Sequence, residues 1–135
     1  MLEFTAGFFG IRFEEVADAM AWREDVKQLE VFDADTNEKL GRIYLDLFYH
    51  EDKTVLVPNT AMVATSKTAD SIRYIPQAVV ATSIYDSGST PLLLGYTDVQ
   101  TLFHEFGHAL AAILSKNDFS TLTEVPLLFR QPIHR

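Results

Sequence analysis

Residues 97–115 read TDVQTLFHEFGHALAAILS, and the rest of the chain is organised around them. Val99, Leu102, Phe103, Phe106, Leu110 and Ile113 recur at three- and four-residue steps, which predicts a helix with one apolar face. Thr97, followed three residues later by Gln100, reads as a capping box that starts it. Inside this helix His104-Glu105-Phe106-Gly107-His108 is an H-E-x-x-H motif. His104 and His108 then lie one turn apart on the same face, as two imidazoles must to grip one zinc ion. Glu105 sits about 100° around from His104, within reach of a water on that zinc without being a ligand. By chance the motif arises on the order of once in a few hundred chains of this length. Here period, cap and face agree, so the stretch predicts a zinc hydrolase site with one Zn2+ per chain. It says much less about substrate.

Outside the motif, composition sets the bounds. At 135 residues the chain is expected to form a single domain with a real core. An apolar share of 47% and a mean hydropathy of +0.04 describe a globular chain whose apolar runs are too short to span a bilayer, so no membrane partner is expected. The opening MLEFTAGFFG has no Lys or Arg and is interrupted by Glu3, unlike a secretory signal. With no cysteine, any zinc must be held by histidine and carboxylate. A net charge of −8 argues against nucleic acid and allows at most a weak steering of cationic peptides. Absence of a signal and of cysteine favours an intracellular, cytoplasmic site.

Upstream, residues 2–16 predict a short helix and then an extended piece around residues 11–13, with Phe4, Phe8, Phe9 and Phe13 as core contacts. Residues 17–26 read as loop or a helical turn, with Trp22 as a packing anchor. Residues 27–33 (KQLEVFD) and 41–49 (GRIYLDLFY) alternate polar and apolar positions around a polar turn at 34–39, which predicts a β-hairpin. Asp35 and Asp46 are read as a turn aspartate and a strand-face carboxylate rather than metal ligands. His50 is read as a solvated loop residue. Residues 54–57 predict a short strand closed by Pro58 and Asn59, residues 61–75 an irregular segment, and residues 77–85 (QAVVATSIY) a strand. Residues 86–91 turn the chain toward the helix, and Lys116-Asn117-Asp118 is a plausible stop after it.

A catalytic zinc usually keeps three protein ligands and one open position. A further histidine six residues after His108 is absent, because that position is Leu114. On ligand type alone Glu124 is the carboxylate to consider, either as ligand or as an ordinary surface residue. Asp118 sits too close to the helix end, and His134 is a fallback near the terminus.

TLFHEFGHAL at 101–110 resembles the signature helix of the thimet-oligopeptidase-like zinc peptidases, the family of oligopeptidase A, neurolysin and mitochondrial intermediate peptidase. The resemblance extends upstream through AWREDVKQLEVFDADTNEKLGRIYLDLFYHEDK and LEFTAGFFGIRF. TEVP at 123–126 is similar to that family's E-x-P segment, whose glutamate is a zinc ligand. The resemblance implies His104, His108 and Glu124 as ligands and Glu105 as general base, with short peptides as substrates. It leaves a mitochondrial address as an alternative to the cytoplasm. The sequence departs from the family in its length, in a shorter stretch between His108 and Glu124, and in its tail LLFRQPIHR. The family's downstream Tyr and His that stabilise the oxyanion find no match, so the resemblance implies a truncated fragment, a single partial catalytic domain over 1–135.

The fold expected is α+β: a small, mostly antiparallel sheet packed against the H-E-x-x-H helix, zincin-like. The strand at 77–85 is expected to offer an edge to an extended substrate. The function expected is zinc-dependent endopeptidase activity, and the alternative is a non-catalytic zinc-binding domain.

Overall fold

Alternation and helical period place the elements in chain order as α1 (Leu2–Phe9), β1 (Ile11–Glu15), β2 (Lys27–Asp33), β3 (Lys39–Phe48), β4 (Asn59–Val63), β5 (Gln77–Ile84) and α2 (Tyr96–Leu114). They are seen in a computed structural model that describes residues 1–51, 53, 59–63, 75–86, 88 and 91–115. The strands form one sheet in the order β1-β2-β3-β5-β4. Pairs β1/β2, β2/β3 and β4/β5 are antiparallel, while β3/β5 is parallel. The class is therefore α+β with a mostly antiparallel sheet.

The β2–β3 hairpin turns as its composition requires. Asp33 Oδ1 accepts the backbone N–H groups of Asp35 and Thr36 at 3.0 and 2.8 Å. Asn37 takes a left-handed φ of 60°, which a short amide side chain tolerates. Strand β3 starts at Lys39, two residues before the apolar alternation suggests.

One face of the sheet is apolar. Leu29 stands opposite Ile43, Ile43 beside Ala78, and Leu45 beside Val80, and all are buried. Onto this face α2 lays Phe106, Ala109, Leu110 and Ile113. Phe106 is 1% exposed, its ring 5.8 Å from that of Phe13 on β1. Burying such a side chain stabilises the fold by about 1.5–3 kcal/mol. The buried stripe of α2 is narrower than the sequence suggests. Val99 and Phe103 stay exposed, and Ala109 and Ala112 take the buried positions, because the stripe centres on Phe106 and Ile113.

The opposite face is polar and internally paired. Arg42 donates to Glu30 Oε1 at 2.8 Å, Gln28 donates to the same oxygen at 2.9 Å, and Lys39 contacts Oε2. Burial alone would raise the Glu30 pKa. Hydrogen bonds from Lys39 and Arg42 outweigh it and hold the carboxyl below its ordinary value. Lys53 is buried and donates to Asp46 Oδ1 at 2.7 Å and to the carbonyls of Asp46 and Phe48 at 2.8 and 3.0 Å. The Trp22 indole N–H donates to Asp46 Oδ2 at 3.1 Å, and its ring packs on Tyr44. Trp22 thus anchors the 17–26 loop, and Asp46 is structural.

Three expectations fail here. Phe4 and Phe8 are 68% and 73% exposed and stack on each other at 6.3 Å, with Phe9 also exposed. In an eight-residue helix, positions four apart share one stripe, and α1 turns Met1 and Leu2 to the core instead. Only Phe13 of the four packs inward. His50 is not solvated, since both its ring nitrogens are buried without a hydrogen-bond partner. The segment beginning at residue 61 is not wholly irregular, because Asn59–Val63 pairs with β5 through backbone bonds that side-chain polarity does not prevent. The strand expected at 54–57 lies outside the described residues.

Candidate metal centre

Helix α2 begins at Tyr96, about two turns ahead of the histidine pair. Its start is set by Asp98, whose carboxylate accepts the Gly95 N–H at 3.1 Å, and not by Thr97 and Gln100. Thr97 therefore lies inside the first turn. An acidic side chain there also complements the positive end of the helix dipole. The helix ends at Leu114, where the Ser115 N–H donates to Ala111 O at 3.1 Å.

With Phe106, Ala109 and Leu110 fixed against the sheet, helical geometry turns His104, Glu105 and His108 outward. His104 is exposed, while Glu105 and His108 are half-buried. The Nε2 atoms of His104 and His108 are 3.1 Å apart, with the rings nearly perpendicular. Two nitrogens bound tetrahedrally to one zinc at 2.0–2.1 Å are separated by about 3.3 Å. The pair thus presents its nitrogens at the bite of a single ion, and imidazole is a donor that zinc favours. These two side chains fit two of the positions that such an ion fills.

Glu105, Gln100 and Thr101 border the same place, lining with His104 a shallow surface depression of about 290 Å³. Gln100 and Thr101 were not picked out as site residues from sequence. The available signal was their spacing, four and three residues before His104, which puts them one turn away on the same side. A roomier groove of about 540 Å³ lies at the other end of α2, between Phe9, Leu40, Ile113 and Leu114. It holds none of the motif residues.

Among the described residues, no group of three or more His, Asp or Glu side chains converges as a metal would require. Glu124, Asp118 and His134 lie outside them. The structure therefore brings two expected ligands and the expected base together on one helix and does not address the third ligand.

The sheet edge differs from expectation. Strand β5 lies between β3 and β4, and β4 pairs with it along Gln77–Ala81, so among the described residues that stretch has no free edge to offer. The edge strands are β1 and β4, and α2 packs across β5, β4 and β3.

The profile of Peptidase family M3 matches residues 1–129. A probable thimet oligopeptidase of Arabidopsis thaliana is 34% identical over 83% of this chain and 16% of its own length. Oligopeptidase A of Escherichia coli K12 is 32% identical over 86% of the chain and 17% of its own. A mitochondrial intermediate peptidase of Arabidopsis thaliana is 31% identical over 82% and 16%. The chain thus spans about one sixth of the length of these curated relatives. An H-E-x-x-H helix seated on a mixed sheet, together with a match over nearly every residue, places this chain in peptidase family M3.

Proposed function

We propose that this chain is part of the catalytic domain of a zinc-dependent metalloendopeptidase that acts on short peptides. The observation that carries the reading is the 3.1 Å separation of the His104 and His108 Nε2 atoms on the outward face of α2. His104 and His108 would hold the metal, with Glu124 as the third ligand on its resemblance to the family's E-x-P segment. Zinc held there would lower the pKa of its water to about 7 and polarise a peptide carbonyl. The chain's own part follows from position. Glu105, one residue on from a ligand and beside the depression, takes a proton from the attacking water and returns it to the leaving amine. Strand β4, the sheet edge beside α2, would pair with an extended peptide through its backbone groups.

Relatives occur in a plant and a bacterium, and one of them is a mitochondrial intermediate peptidase. Cytoplasmic location remains the proposal, with mitochondria as the alternative. Among the described residues no helix is long and apolar enough to cross a membrane.

One observation favours a second reading, a zinc-binding domain without turnover. The depression is shallow and lined only by residues of α2, so nothing described there closes it off from water, and its neutral side-chain donors are limited to Gln100 and Thr101, with no donor brought in from another element. Absence of one oxyanion donor typically costs 10²–10³ in rate. Hydrolysis of quenched fluorescent peptides with and without a chelator separates the readings. Chelator-sensitive cleavage supports the endopeptidase, and tight zinc without cleavage supports the second reading.

A further inference from the structure

We propose that Gly41, far from the motif in sequence, is a positioning residue for the metal pair. The inference rests on the zinc reading above. The absence of a side chain at this one position of β3 sets how closely α2 lies on the sheet. That in turn sets where His104 and His108 stand relative to donors carried by other segments.

Gly41 is buried opposite Val31, on the strand face that meets α2. A Cβ at this position would come within 2.7 Å of Ile113 Cγ2, 2.9 Å of Ile113 Cγ1 and 3.0 Å of the Pro76 carbonyl oxygen. Non-bonded carbons ordinarily rest about 3.5–4.0 Å apart. The local escapes are closed. Ile113 is β-branched, so in a helix its χ1 has one strongly preferred rotamer, and both of its γ carbons crowd the spot. It is also buried in the core cluster and cannot turn to solvent. Pro76 O is backbone and accepts the Arg42 N–H at 3.0 Å, tying it to the strand that carries Gly41.

Relief therefore comes from α2 lifting at Ile113 by about 1 Å, the shortfall from ordinary carbon contact. His108 lies five residues before Ile113, about 7.5 Å along the axis, and moves with it. His104 and His108 ride on one helix, so their own separation is unaffected. Their distance to any donor from elsewhere is not, and a metal constellation has to be held within about 0.5 Å. Gly107, inside the motif, is a useful contrast, because a Cβ there meets nothing within 4 Å.

The test measures zinc affinity of the metal-stripped chain by competition with a chromophoric chelator, at a temperature where circular dichroism shows each variant folded. Gly41→Ala is expected to weaken zinc binding about tenfold or more, the scale on which supporting residues act at metal sites. Ile43→Val, which thins the same strand face without pushing the helix, should keep the wild-type affinity. Adding Ile113→Ala to Gly41→Ala removes both crowding γ carbons and should restore most of the affinity. If Gly41→Ala alone does not fold, the double variant decides: near-wild-type zinc binding supports the proposal, and weak binding overturns it. Unchanged affinity in folded Gly41→Ala, or an equal loss in Ile43→Val, also overturns it. A wild-type chain that binds no zinc overturns the metal reading itself, and this inference with it.

Discussion

Helices α1 and α2 both carry phenylalanines, yet α1 leaves all three of its rings exposed while α2 seals one of its two, Phe106, in the core. In α1, Phe4 and Phe8 stack on the outside, while Met1, Leu2 and the buried Thr5 face inward. In α2, Phe106 is sealed against Phe13 and the sheet, and the outward positions carry two imidazoles and a carboxylate. Apolar content alone did not decide burial. What distinguishes α2 is a long stripe at helical period, which fixes its rotation on the sheet and so fixes which residues point away. The eight residues of α1 allow only two turns, and Gly10 with φ 64° ends it at once.

The contrast can be broken most sharply on α2's outward side. Glu105→Gln should lower peptide turnover by at least 10²-fold, within the 10²–10⁴ range of general-base catalysis, while zinc and melting temperature are retained. Loss of zinc in that variant would contradict the role of Glu105 as a base rather than a ligand. On the inward side Phe106→Ala should destabilise the fold by about 3–5 kcal/mol, read as a shift in the urea midpoint. A loss below about 1 kcal/mol would mean that the helix is not held by this ring.

The back of the sheet gives a comparable loss without any aromatic stripe. Lys53→Met strands the buried Asp46 carboxylate, at about 3–5 kcal/mol. Acidification should act through Glu30 by a smaller margin. Its folded pKa lies below the ordinary 4.5, so its contribution is full above that pH and is lost as pH falls through the folded value. Urea midpoints taken below pH 5 should decline, and less steeply in Glu30→Gln. The smallest effect belongs to α1: Phe8→Ala should change stability by no more than about 0.5 kcal/mol. A loss of several kcal/mol would show that its ring is covered after all.

How much was legible follows from the same physics. The H-E-x-x-H helix, the β2–β3 hairpin and β5 announce themselves because each repeats at the period of its own structure, 3.6 or 2. Strand β4 does not, since NTAMV carries little alternation and its place depends on backbone pairing with β5. The placing of β5 inside the sheet is a matter of topology, which no local pattern in residues 77–85 encodes. The helix start was misread by two residues because Thr97 and Asp98 are both good capping residues. Only the geometry shows that Asp98 reaches Gly95. The burial of the His50 ring nitrogens and the Lys53–Asp46–Trp22 cluster depend on how separate segments come together, and each residue taken alone looks like an ordinary polar loop or strand position. The motif histidines were legible as a pair, and their third partner is a question of another segment.

The measurement that bears most directly on the metal centre is zinc per chain, in protein purified by gel filtration and dialysed against metal-free buffer. One tightly held zinc per chain, lost in His104→Ala and weakened in Glu124→Ala, is the predicted result. A folded chain that retains no zinc would contradict it, leaving His104 and His108 a hydrogen-bonded pair on the surface of α2.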